Sequence, residues 1–176
     1  MFALFRRKKV DTTKIVDEIE CAVYQWAKQY GFHKFGRTLN RIVDQDIVQV
    51  IHFQNGCPEK GIHGVLWVNL GIRIPECADF PNEVKKYYQE HECNIRCGLD
   101  EYIDKKDNPY DLRKNPQEIA GDITQKLQDV ILPIFDTLSS REAIIKELKN
   151  YSEFNSFRNH LVDRDVSLII KKLGRQ

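Results

Sequence analysis

Ile62-His63-Gly64-Val65-Leu66-Trp67-Val68-Asn69-Leu70-Gly71-Ile72-Arg73-Ile74 alternates along its length. Leu66, Val68, Leu70, Ile72 and Ile74 fall on one side, and Trp67, Asn69 and Arg73 fall on the other. Successive side chains of a strand point to opposite faces, so this period of two predicts a strand over 62–74 with one apolar face. The neighbouring stretches repeat the pattern. A strand is expected over 47–54, with Ile47, Ile51 and Phe53 on the apolar side and His52 and Gln54 opposite. Another is expected over 93–99, with Cys93, Ile95, Cys97 and Leu99 on the apolar side and Asn94 and Arg96 opposite. Residues 37–43 supply a fourth.

Asp44-Gln45-Asp46 is a hairpin connection, and Asn55-Gly56-Cys57-Pro58 begins a longer one. Strands that follow one another in this way form an antiparallel meander with one covered and one wetter face. The segment 75–92 is expected to hold a turn or two of helix.

Helical periodicity flanks the strands. Ile15, Val16, Ile19, Ala22, Val23, Trp26 and Tyr30 recur at three and four, predicting a helix over 13–30 capped by Asp11 or Thr12 and ended by Gly31. Asn115-Pro116-Gln117-Glu118 reads as a capping box with proline at the first helical position. Ile119, Ile123, Leu127, Val130, Ile131 and Ile134 then make a stripe that Pro133 bends or ends. Ser139-Ser140-Arg141-Glu142 opens a further helix, and Phe154, Phe157, Leu161, Val166, Leu168, Ile169 and Leu173 imply one or two more. The expectation is an α+β fold: an N-terminal helix, a four-stranded antiparallel sheet, and C-terminal helices packed on its apolar face.

The chain has 176 residues and a formal net charge of +1, a size suited to one domain and a charge ill suited to holding nucleic acid. Residues 1–12 read as a flexible basic start and 13–176 as a single domain. Met1-Phe2-Ala3-Leu4-Phe5 is too short for a signal peptide, and its basic run follows instead of preceding it. No membrane span is expected. Five cysteines, an odd number, fit free thiols in a reducing cytoplasm. The charge is uneven: residues 42–112 hold 7 Lys and Arg against 13 Asp and Glu.

No sequence here matches a P-loop, G-x-G-x-x-G, H-E-x-x-H or G-x-S-x-G. Cys93 and Cys97 with His91 have the spacing of a metal site only on a helix; on a strand the thiols lie about 13 Å apart, too far for one zinc. Core thiols, no metal and no cofactor are therefore expected. Asp100, Glu101, Asp104, Asp107 and Asp111 read as a solvated acidic loop, since they lack the spacing of a calcium loop.

Gly31-Phe32-His33-Lys34-Phe35-Gly36-Arg37-Thr38-Leu39-Asn40-Arg41 is the strongest local feature. Arg37 and Arg41 fall on the same side of a strand. There they either hold a carboxylate or phosphate or blunt a sheet edge. Gln54, Trp67, Asn69, Arg73, Asn94 and Arg96 share the wetter face and, with Arg37 and Arg41, form the expected binding set.

Four segments in this order resemble a bacterial family of domains of unknown function, number 4304. They are Gly31-Phe32-x-Lys34-x-Gly36-Arg37 with Arg41, then Ile51-His52-Phe53-Gln54, Val68-Asn69-Leu70-Gly71 and Cys93-Asn94-Ile95-Arg96. Leu39 stands where the family has an aromatic. Asn108-Pro109-Tyr110-Asp111-Leu112 keeps only Tyr110 and Leu112 of the family's tryptophan-bearing segment. The resemblance implies no activity. Three function classes stand: a non-catalytic interaction protein that caps a partner protein, a small-anion binder using sheet-face arginines, and an enzyme.

Overall fold

A computed structural model of the chain describes residues 11–56, 64–78, 85–104, 106, 108–149 and 163–174. The first helix, α1 (Thr12–Ala27), starts where the Asp11 carboxylate accepts the Lys14 N–H, and it runs into a 3-10 turn at Lys28–Tyr30. Gly31 then takes a left-handed conformation (φ 84°) that turns the chain into the sheet. Val16, Ile19, Val23 and Ala27 are buried on α1 together with the carboxylate of Glu20, whereas Ala22 is exposed. The buried stripe is thus rotated from the expected one, toward Glu20.

Among the described residues six strands form the sheet, in place of the four expected: β1 (His33–Phe35), β2 (Thr38–Val43), β3 (Ile47–Asn55), β4 (Val65–Arg73), β5 (Ile95–Gly98) and β6 (Tyr110–Asp111). All pair antiparallel, in the order β1-β2-β3-β4-β5, with β6 also on β4. The two additional strands have three and two residues, too few to show alternation. Asp44 (φ 43°) and Gln45 (φ 69°) make the tight β2–β3 turn, whose handedness matches the twist of the strands it joins. Arg141, the first residue of α5 (Arg141–Lys149), clamps this turn. It donates to the Asp44 and Asp46 carboxylates at 3.1 and 2.6 Å and to Glu76 at 2.5 Å.

The register aligns Leu39, Ile51, Leu70 and Cys97 across four strands, all buried on the helix side. Helix α3 (Pro116–Lys126), capped by Asn115, continues through a π-helical turn at Leu127–Ile131 into α4 (Leu132–Thr137). Pro133 therefore neither ends nor breaks it; the wide turn lies just before the proline, which has no N–H to give to the ladder. Ile119, Ile123, Leu127, Ile131 and Phe135 from this rod join α1, α5 and the sheet in one core. Ile169 and Leu173 of α6 (Asp163–Leu173) reach the same core, but Leu168 is 43% exposed. Phe154, Phe157 and Leu161 lie outside the described residues.

The opposite face is not uniformly wet. The chain after β4 returns across it, so that Tyr88 and Cys93 bury Val48 and Val50 of β3 in a second, smaller core. Asn40 on β2 holds the return like a strand partner, accepting the Tyr88 N–H at 2.6 Å and donating to its carbonyl at 3.0 Å. Cys93 was expected among the thiols on the helix side. The bend at Asn94 reverses its side, and its sulfur packs over Gly71, where a Cβ would lie 2.6 Å from it.

Candidate recognition cleft

The eight residues expected to bind divide into three groups. Arg37 and Arg41 lie on the helix side, and Arg37 sits in the β1–β2 turn instead of a strand. Arg37 meets Asp17 at 3.4 Å and the buried Glu20 at 3.3 Å, and Lys34 also reaches Glu20, at 3.1 Å. Arg41 stands over the Phe32 ring, donates to Gln49 at 2.6 Å and pairs with Asp136 at 2.8 Å. The two guanidiniums thus serve different helices and do not form a joint anion site. Gly31-Phe32-His33-Lys34-Phe35-Gly36-Arg37 proves to be the device that docks α1, with Glu20 as its counterpart. Burial raises the pKa of Glu20, and the charges of Lys34 and Arg37 offset this only in part.

Arg73 lies under the returning chain, and Asn94 sits at that chain's end. Arg73 is 4% exposed, with its guanidinium 4.0 Å from the centre of the Tyr88 ring. Asn94 accepts the Ile74 N–H at 2.8 Å and donates to the Cys77 carbonyl at 3.0 Å, closing the 75–94 segment. Both are structural anchors. Burial also moves Cys77 up to about 11 and Cys93 well above its usual range, so neither thiol is activated.

Gln54, Trp67, Asn69 and Arg96 do converge. They line a cleft of about 230 Å³ with Glu90, Gly98 and the start of α2 (Leu99–Asp104). The cleft exists because the outer edge of β4 forks. β5 pairs with Asn69–Ile72 and β6 with Val65 and Leu66, leaving Trp67 and Val68 between them. Asn69 donates to Gln54 at 2.8 Å, and Arg96 lies 3.6 Å from Glu90. On the rim, Glu101 accepts the Gly98 N–H at 3.4 Å.

Behind the rim, Lys126 of α3 bonds Asp100 and Asp122, both at 3.0 Å, and Tyr110 at 3.2 Å; Tyr110 donates to Asp122 at 2.8 Å. Burial raises the pKa of Asp100, against the pull of Lys126. Burial and the bond to Asp122 raise Tyr110. Burial disfavours the charge on Lys126, yet its bonds to Asp122, Asp100 and Tyr110 raise its pKa. Three of the five acids expected in a loop (Asp100, Glu101 and Asp104) instead belong to a helix. Asp111 is in β6, bound to Arg113, which brings its carboxyl to about 2, and Asp107 lies outside the described residues.

Sequence reasoning placed neither Glu90, Glu101 nor the Tyr110–Lys126 pair at a site; the surplus of acids over 42–112 was the one signal for the two glutamates. Among the described residues no group of three His, Cys, Asp or Glu is placed to hold a metal ion, and no helix is long and apolar enough to cross a membrane.

No curated protein and no solved structure matches the chain. A family match does exist, and it runs from within α1 to the end of α4, so it takes in all six strands, the fork and the cleft. The chain belongs to the family described as "Domain of unknown function (DUF4304)", whose model matches residues 23–137.

Proposed function

We propose that the protein is a non-catalytic interaction module of the bacterial cytoplasm that caps a partner protein through the open end of its polar sheet face. One observation carries this reading: Gln54, Trp67, Asn69 and Arg96, from three strands, line one cleft, whereas Val48 and Val50 on the same face are covered. Its volume falls below the range usual for pockets that enclose a whole small molecule, and suits a side chain presented by another protein. An aromatic floor ringed by polar groups is the make-up of an interface anchor point. The anion-binding alternative loses support because Arg37, Arg41 and Arg73 are engaged elsewhere and Arg96 stands beside Glu90. The four free cysteines among the described residues fit a reducing compartment.

The test is photo-crosslinking in the cell of origin, with the reactive side chain placed at Asn69 and, as control, at the exposed Glu118 on α3. One protein captured at Asn69 alone, and lost with Arg96→Ala, is the expected outcome. Equal capture at both positions refutes the reading. The double variant Asn69→Ala/Arg96→Ala should keep its fold, because Arg96 is 45% exposed and the Asn69 bond is solvent-facing. Unfolding of the double variant makes the cluster structural and overturns the proposal.

A further inference from the structure

His52 stands at the junction of two regions of the polar sheet face. On that face of β3 it follows Val50 of the small core and precedes Gln54 of the cleft, and the register sets it between Thr38 and Asn69. The returning chain spans the same junction. Its Cys93 lies in the small core, its Glu90 lines the cleft, and the 3-10 turn Glu90–Glu92, which carries His91, packs on β3 and β4. The His52 Nδ1 is buried there and finds no hydrogen-bond partner among the described residues. We propose that His52 is an acid-operated latch, whose protonation releases the chain 85–93 from the sheet and with it the Glu90 wall of the cleft.

A neutral imidazole leaves one nitrogen as an acceptor, whereas in the cation both nitrogens are donors. A buried charged donor without an acceptor is the costlier of the two. The surroundings add to that cost. Burial first, then His91 on the turn and the Arg37 guanidinium, hold the pKa of His52 below the ordinary 6.5. Thr38 and Asn69 beside it carry no charge. The other charged groups at hand already have contacts: Lys85 with Glu92, Lys86 over the Phe35 ring, Glu90 beside Arg96, and Arg73 over the Tyr88 ring. An open form, with His52 in water, takes up the proton more readily than the closed one. The closed form is therefore firmest above pH 6.5 and weakens as the pH falls below it.

Only the consequence for a partner rests on the reading above, so the test of the latch uses the full chain alone, by NMR from about pH 8 to about pH 5. The His52 ring should titrate below 6.5. The amides of Tyr88 and Asn94 bond across to Asn40 and Ile72. Their protection, corrected for intrinsic exchange, should fall together with that titration, by at most about tenfold per pH unit for one proton. The amides of Ile51 and Leu70 in the sheet should not follow. In His52→Gln, which cannot take the charge, the protection of Tyr88 and Asn94 should stay level. In His91→Gln the His52 ring should titrate closer to 6.5 and the fall should shrink. A wild-type ring that titrates at or above 6.5, protection that ignores pH, or an equal fall in His52→Gln overturns the latch. Should His52→Gln fail to fold, His91→Gln decides, and an unmoved His52 titration there overturns it. Capture at Asn69 that persists in acid after the protection is lost overturns the release of the cleft wall. Absence of capture at every pH, with the latch opening as expected, removes the reading above and leaves the latch.

Discussion

Gly71→Ala tests the least expected contact in the molecule. A Cβ at this position of β4 would lie 2.6 Å from the Cys93 sulfur and 2.8 Å from its Cβ. Contact between such atoms is favourable near 3.5–4.0 Å, so the overlap is about 1 Å. A change of rotamer at Cys93 cannot relieve it, because the Cβ itself is in the way. The turn carrying Cys93 must lift from the sheet, straining the Asn40–Tyr88 bonds and opening the small core over Val48 and Val50. Replacing glycine by alanine in a strand otherwise gains about 0.5–1 kcal/mol of chain entropy. Overpacking costs about 1–3 kcal/mol, and loosening that core adds to it, so the clash wins. A net loss of about 1–3 kcal/mol is expected in urea titration. In a Cys93→Gly background both clashing atoms are gone and the same substitution should become neutral or better, a coupling of about 1–3 kcal/mol. An unchanged cost in that background refutes the placement of Cys93 over Gly71, as does a neutral Gly71→Ala on its own.

Leu70→Ala, at a position with no exposed surface, should cost about 2–5 kcal/mol in denaturant titration, and Trp67→Ala on the other face clearly less; the reverse order would invert the faces of the sheet. Glu20 has its pKa raised by burial, so in folding its protonated form is favoured. The contribution of Glu20 is then greatest below the unfolded carboxyl value of 4.5 and declines as pH rises through the folded value. Glu20→Gln removes that decline, so the stability of wild type minus that of the variant should fall as the pH rises above 4.5, read by thermal melting; a difference that grows with pH refutes the account.

The core strands were legible because alternation is local: Leu66, Val68, Leu70 and Ile72 declare their face within a few residues. Cys93 was misplaced for the same reason. Alternation carried back from Ile95 assumes a straight strand, and the bend at Asn94 depends on bonds to Ile74 and Cys77, some twenty residues away. Arg37 and Arg41 were assigned a common side but not a partner. Glu20 and Asp136 come from helices on either side of the sheet in sequence, and Glu20 looks like any surface acid of α1 until the sheet is in place. Of the cleft, Gln54, Trp67, Asn69 and Arg96 followed from strand parity, whereas Glu90 comes from a 3-10 turn and Glu101 from α2, which strand parity does not reach. Arg73 had the right side, but nothing local announced the chain that covers it.

The forked edge of β4 also divides the cleft into parts of unequal permanence. Its floor belongs to β3 and β4, which are paired over eight consecutive positions, from Val48–Arg73 to Asn55–Leu66. Its walls are held to β4 by four positions of β5 and two of β6. Local opening is easiest where the fewest ladder bonds must break together, so the walls exchange their amide hydrogens ahead of the floor. Any contact that spans the walls and the floor would add the cross-connection the sheet lacks there and join the two flaps into one protected unit.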